Sequence, residues 1–201
     1  MLNRLMGGNK LNDEQRSRVP PGQYVTETWP VLHYGSVPRV DLATWDFRVW
    51  GEVENPFTFT WDEFRRMPRT SITADIHCVT RWSRLGATFS GVPIRHILEL
   101  ARPTAKAHHV LEHAEQGYTT NVPLEVLDDD DVLLCDEADG EPLTPEHGYP
   151  LRLVLPKRYF WKSAKWIRGL QFLERDIPGF WERYGYNNNA DFWKEERFSD
   201  D

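Results

Sequence analysis

An arginine set inside a short apolar run is the feature that most constrains this chain. The run is Pro150-Leu-Arg-Leu-Val-Leu-Pro156, and His147-Gly-Tyr149 precedes it. A five-residue run of this kind reads as a short strand. Arg152 sits poorly there as an ordinary strand-surface charge, because its neighbours on both sides are apolar. The stretch that follows, Lys157-Arg-Tyr-Phe-Trp-Lys-Ser-Ala-Lys-Trp166, continues to Arg168 with five basic residues and no acid. Charge runs are usually solvated faces. This one is interleaved with Tyr159, Phe160, Trp161 and Trp166, a mixture suited to holding a flat, phosphorylated ligand.

A second feature lies far upstream. Cys78 ends the apolar, β-prone run Ile72-Thr-Ala-Asp-Ile-His-Cys-Val-Thr-Arg-Trp-Ser83 and has no cysteine partner nearby. A lone thiol beside basic and aromatic residues suits a single metal or covalent ligand. The alternative is a buried small hydrophobe, the usual fate of a free cysteine. The other cysteine, Cys135, is too distant in sequence to make a knuckle, and no Cys-x-x-Cys-His haem site exists.

Composition narrows the options. With 201 residues and 40% hydrophobic content, a single domain with a full core is expected. Nine tryptophans supply flat apolar walls. A net charge of −7 argues against nucleic acid as a partner. No apolar run reaches the roughly 18 residues that a membrane span needs. Met1 to Lys10 lacks an apolar signal core, a cleavage site and a twin-arginine pair, so cytoplasmic placement is expected.

Periodicity gives a mixed α+β reading. Residues 1–30 form an irregular arm with Pro20-Pro-Gly22, residues 31–176 the domain, and 177–201 an aromatic tail packed upon it. Strands are expected at Asp46 to Val53, around Cys78, at His108 to Glu115, Tyr118 to Val122, Val132 to Asp136, Pro150 to Leu155 and Lys165 to Leu173. Thr60-Trp-Asp-Glu63 is a capping box opening a helix to about Met67. A second helix starts at Pro93 and buries Ile94, Ile97, Leu98 and Ala101. A loop is expected around Gly86 and Gly91. Asp128 to Asp131 reads as a solvated bend, since four adjacent carboxylates repel.

The Cys78 segment and the spacing His147-x4-Arg152, Pro156, Ser163-Ala-Lys165 together resemble the molybdopterin-binding domain of the sulfite oxidase family. The resemblance covers about residues 30 to 175 and implies that family's single-domain, mixed-sheet fold. It implies an enzyme carrying molybdenum-molybdopterin, one pterin dithiolene beside the Cys78 thiolate. His147 and Arg152 would hold the pterin, and Ser163, Ala164 and Lys165 its terminal phosphate. His33 and Tyr34, in Leu32-His-Tyr-Gly-Ser-Val-Pro38, match an early pterin contact, and His113 another, although a strand histidine serves equally well structurally. Tyr118 matches the active-site tyrosine, and Arg81 follows the ligand cysteine.

Two departures bear on the substrate. Leu32 stands where sulfite oxidases carry an arginine, and Arg81-Trp82-Ser83-Arg84 replaces their adjacent arginine pair. The Trp-Ser pair looks more like the reductase branch, near the methionine sulfoxide reductase catalytic subunit. The resemblance therefore implies two-electron oxygen-atom transfer on a small S- or N-oxide. Sulfite oxidation to sulfate with an external acceptor is the alternative. A separate haem or flavin protein would exchange the electrons, and a monomer is expected. The rival outside enzymology is a cofactor-free binding module whose aromatic tail grips a sugar or peptide.

Overall fold

The structure, a computed structural model, describes residues 11–200. The N-terminal residues on which the targeting expectation rests lie outside that range.

Two sheets carry the domain. The first is six-stranded, with path β1 (Tyr24–Val25), β5 (Trp82–Pro93), β8 (Leu133–Ala138) and β10 (Arg152–Val154). Strand β4 (Thr70–His77) pairs antiparallel with β5, and β9 (Glu141–Pro142) pairs with β8. The second runs β3 (Phe57–Thr60), β2 (Asp46–Gly51), β11 (Ile167–Leu173), β6 (His109–Ala114) and β7 (Thr119–Pro123). Its β2–β11 pair is parallel and its other pairs are antiparallel, which makes the sheet mixed.

Local chemistry explains the helices. Thr60 Oγ1 accepts the Glu63 amide and the Glu63 carboxylate accepts the Thr60 amide, which opens α2 (Trp61–Arg65). Pro93 caps α3 (Ile94–Ala101), which buries Ile94, Ile97, Leu98 and Ala101 as the spacing requires. Short α4 (Leu124–Leu127) follows Pro123. One core joins Phe47, Phe64, Ile97, Leu153 and Phe172. A smaller one joins Ile76, Trp82, Phe89, Val154 and Phe160, with Cys78 and Trp29 packed against it.

Three readings of the sequence change. The arm contains a capped helix, α1 (Asp13–Arg18), and the strand β1, which adds in parallel to β5. Its apolar content is low, so neither was visible as periodicity. Gly86 and Gly91 lie inside the long strand β5 rather than in a loop. At Gly91 a Cβ would sit 2.0 Å from the Leu134 carbonyl oxygen, so the glycine permits close pairing with β8. Cys78 lies in the turn between β4 and β5, with its amide bonded to the Trp82 carbonyl at 2.9 Å.

The acidic bend is solvated on one side and held on the other by Arg95, which pairs with Asp128 and Asp130, and by Lys157, which pairs with Asp129. Beyond 177 the chain forms α5 (Phe180–Arg183) and folds back over the domain, burying Ala190 and Phe192 against Tyr159. Among the described residues no helix is long and apolar enough to cross a membrane.

Candidate active site

One cleft of about 260 Å³ gathers most of the residues that the motifs singled out. His33, Tyr34, Cys78, Tyr118, His147, Arg152, Ser163, Ala164 and Lys165 all line it. They come from the arm, the Cys78 turn, the β6–β7 connection and the segment around β10. The two sheets bring these distant stretches together.

Arg152 is 2% exposed, and the buried Glu112 carboxylate lies near enough to oppose part of its desolvation. Its donors go to backbone carbonyls: Nη1 to His147 at 2.9 Å, Nη2 to Ser163 at 3.0 Å and Nε to Leu153 at 3.3 Å. The guanidinium lies 4.2 Å from the Phe160 ring centroid and 5.2 Å from that of Trp29. Burial pulls its pKa down to about 10, so it is still a cation at neutral pH. It thus braces two loops that line the cleft, those of His147 and Ser163. Gly148 makes the first loop possible: its φ is +118°, and a Cβ there would come within 3.1 Å of Arg152 Cβ and 3.3 Å of Lys165 Cβ.

Lys165 donates to the carbonyls of Leu32 at 2.7 Å and Glu146 at 2.8 Å. Burial, reinforced by repulsion from Arg152, lowers its pKa to about 7. An anion arriving there would restore the charged form. Ser163 Oγ accepts the Leu155 amide at 3.0 Å, and the Ala164 amide donates to Glu112 Oε2 at 3.1 Å. The Ser-Ala-Lys turn is therefore rigid from beneath.

His147 stacks on Trp29, with centroids 4.2 Å apart, and its Nε2 faces the Trp29 carbonyl at 3.2 Å. Burial is the main cause of its lowered pKa. Tyr118 donates from Oη to the Trp161 carbonyl at 2.9 Å, and burial raises its pKa well above the usual phenol value, so it keeps its proton. The Cys78 thiol accepts a hydrogen bond from Thr80 Oγ1 at 3.2 Å, and burial raises its pKa. A soft cation would reverse that shift by binding the thiolate.

Two of the sequence-selected residues stand elsewhere. His113 bonds Gln171 at 3.0 Å and packs on Trp50, with centroids 4.8 Å apart, on the face of the second sheet. Strand alternation directs it away from the cleft. Arg81 is exposed, and its positive φ of 75° turns the side chain toward the Gly22 carbonyl. The basic window also divides. Lys157 goes to Asp129, Arg158 to the Lys157 carbonyl, Arg168 to Asp46 and Glu115, and Lys162 inward to Glu182, and of the five it is Lys165 that lines the cleft.

No motif singled out Trp29, Trp181 and Tyr186, which line the cleft, and Trp82, which lines it too, entered only through the Trp82-Ser83 pair that bears on the substrate. Trp29 precedes Pro30 in the arm, and Tyr186 belongs to the tail. For Trp29, Trp181 and Tyr186 the only sequence signal was the high aromatic content. Trp82 is the most informative of the four. Its Nε1 is buried in the wall beside the Cys78 turn and has no hydrogen-bond partner among the described residues. An orphaned donor there fits an acceptor atom of a bound group.

These residues fit the molybdopterin that the resemblance implies. Aromatic rings flank a flat heterocycle, the cations Lys165 and Arg152 stand at one side for a phosphate, and one soft sulfur stands within the same cleft.

Comparison with known proteins agrees. Residues 34–181 match the family model described as the oxidoreductase molybdopterin binding domain. An uncharacterized oxidoreductase, YuiH of Bacillus subtilis, is 47% identical over 193 residues, covering 96% of this chain and 98% of the relative. YedZ1 of Azospira oryzae, named a putative protein-methionine-sulfoxide reductase subunit, is 29% identical and covers 92% and 72%. Among solved structures, the sulfane dehydrogenase SoxCD from Paracoccus pantotrophus superposes with a TM-score of 0.67 at 25% identity, over 76% of this chain and 43% of that one. With its two mixed sheets, its cleft and these matches, the chain belongs to the oxidoreductase molybdopterin-binding domain family, and is a sulfite oxidase-type enzyme whose cofactor is molybdenum-molybdopterin.

Proposed function

We propose that this enzyme catalyses two-electron oxygen-atom transfer on a small sulfur- or nitrogen-oxide, in the reducing direction, with Cys78 as the thiolate ligand of molybdenum. The observation that carries the reading is the wall around Cys78. Trp82 and Tyr186 stand next to Cys78, Trp161 packs on Tyr186 and Tyr118 bonds the Trp161 carbonyl, whereas the cleft-lining cations Lys165 and Arg152 belong to the Ser163 turn. Arg81 points out to Gly22, Arg84 pairs with Asp139, and the buried Arg197, whose charge does reach the thiol, donates to the Val79 and Pro21 carbonyls and does not line the cleft. A sulfite dianion would need fixed cations at the thiol, and an uncharged oxide does not.

When bound, the cofactor supplies the two-electron exchange of an oxygen atom with substrate. The protein's part is positional. Lys165 holds the phosphate, and Arg152 and His147 hold the loops and rings around the pterin. Trp82 offers its free N–H. Tyr118, protonated at neutral pH, is a hydrogen-bond donor within the same cleft, and it would orient a substrate oxygen by exchanging its bond to the Trp161 carbonyl rather than by giving up the proton. A separate haem or flavin protein exchanges the electrons; the Azospira relative being named a subunit supports such a partner.

Protein made in a host competent for molybdopterin synthesis tests the cofactor assignment. One molybdenum and one pterin per chain are expected, with the metal's sulfur coordination reduced in Cys78→Ser. Steady-state assays then test the direction. Sulfoxide reduction by a reduced viologen dye is expected to exceed sulfite oxidation by ferricyanide. Fast sulfite turnover with a micromolar KM would overturn the direction proposed.

A further inference from the structure

The Cys78 turn is held from outside by two segments that lie beyond the family-matched stretch. The Cys78 carbonyl accepts Gln23 Nε2 at 3.1 Å, and the Arg81 carbonyl accepts the Tyr24 amide at 2.8 Å. The Val79 carbonyl accepts Arg197 Nη1 at 2.8 Å. Arg197 Nη2 also reaches the Pro21 carbonyl at 3.3 Å. Arg197 is 4% exposed and lies over the Tyr159 ring at 4.9 Å. One buried guanidinium therefore joins three segments: the arm, the thiol turn and the tail.

The tail is folded to deliver this contact. The Asn187 amide donates to the Arg197 carbonyl, the Ser199 amide to that of Gly185, and Tyr186 bridges to Phe198. Asp191 accepts the Trp193 amide at 2.9 Å, and the Tyr159 amide donates to Ala190. The loop so closed places Tyr186 in the cleft wall, stacked on Trp181 at 5.0 Å, and Phe192 on His77 at 4.4 Å.

We infer that Arg197 is a positioning residue that clamps the Cys78 turn, so that the thiol's setting depends on the tail beyond the family domain. A planar fork can bond two carbonyls on different segments at once, which a point-charge ammonium does poorly. This rests on the reading of Cys78 as the metal's ligand, yet it is tested without metal. In the apoprotein the thiol's own reactivity reports its setting, and Cys135, fully buried with its pKa pushed up to about 12, stays silent.

The measurement is the rate of Cys78 alkylation by iodoacetamide in folded apoprotein. Arg197→Met is expected to raise it about tenfold by local opening of the turn, and Arg197→Lys to restore only part of the protection. Leu127→Ala, which destabilises the other core, and Lys194→Ala on the exposed part of the tail are expected to leave the rate unchanged. That contrast separates clamping from loss of global stability. Should Arg197→Met fail to fold, Arg197→Gln, which loses the fork but keeps one amide donor, is expected to accelerate alkylation as well. A rate within twofold of wild type in folded Arg197→Met, or in Arg197→Gln where the first variant does not fold, would overturn the inference. Equal acceleration by Leu127→Ala would do the same. Absence of molybdenum from protein made in a competent host would overturn the cofactor reading alone and leave this result standing.

Discussion

At the scale of single residues, each cation of the basic window has a partner that decides its role. Lys157 is paired with Asp129 at the surface, whereas Lys165 sits in the cleft on two carbonyls. Lys165→Ala should therefore lower cofactor occupancy, and Lys157→Ala should not. A charge-assisted bond to phosphate is worth about 1.5–3 kcal/mol, or roughly 10- to 150-fold in affinity. Equal molybdenum contents in the two variants would count against this role. The pKa of about 7 adds a pH test. Lys165 is cationic below that value and neutral above it. Sulfate, whose charge does not change in this range, should thus stabilise the apoprotein at pH 6 more than at pH 8. The difference should vanish in Lys165→Ala, as read by thermal shift. Cys78→Ser should lower activity more than about 100-fold while most of the pterin is retained, since the other contacts to it survive. Much of this was legible in sequence, because Arg152 amid apolar neighbours and a lone Cys78 are chemically conspicuous. The Ser163-Ala-Lys165 spacing marked Lys165 for the cofactor, but nothing in spacing or composition says that Lys162, three residues earlier, turns inward to a carboxylate.

At the scale of elements, Lys162 has a structural purpose. Its Nζ lies 2.6 Å from Glu182 Oε1 and donates to the Asn121 carbonyl at 2.8 Å, with both charged side chains almost wholly buried. Glu182 also accepts from Thr120 Oγ1 and Trp161 Nε1, so α5 is bolted to β7 and to the cleft wall. Burial lowers the Lys162 pKa, opposed by Glu182. Glu182→Ala would leave that ammonium buried and unpaired, at a cost of about 3–5 kcal/mol. For a chain of this size Tm should fall by roughly 6–20 °C. Lys162→Met combined with Glu182→Leu should recover most of the loss, because replacing a whole buried pair by apolar groups is often neutral. A double variant no more stable than Glu182→Ala would contradict that account. Helices α2 and α3 and most strands were readable from caps and periodicity. Strand β1 and helix α1 were not, since an added two-residue strand and a polar surface helix leave no apolar period. The Cys78 turn was mistaken for strand because the apolar run continues through it. Only the antiparallel register of β4 on β5, which fixes where the chain reverses, reveals the turn.

At the scale of the whole molecule, the cleft is assembled from segments that have little sequence proximity. Trp29 comes from the arm, Cys78 and Trp82 from the first sheet's β4–β5 turn, Lys165 from the approach to β11, and Trp181 and Tyr186 from the tail. The family motifs reveal the middle of this set. The aromatic ends escape notice because a tryptophan in a polar arm or tail has no periodic partner to mark it. A ligand filling such a cleft binds only the folded state, and at about 100 times its Kd it adds roughly 2.7 kcal/mol. Holoprotein should therefore melt above apoprotein by about 5–10 °C. The distribution of that protection is the sharper test. Hydrogen exchange should slow on cofactor loading at residues 29–36, 78–82, 163–166 and 181–186 together, while the β2–β3 pair, which contributes no residue to the cleft, keeps its apoprotein rates. Protection confined to 147–166 would mean that the arm and tail merely pack on a site already complete. Protection in all four segments would mean that the cofactor closes the arm, domain and tail into one cooperative unit.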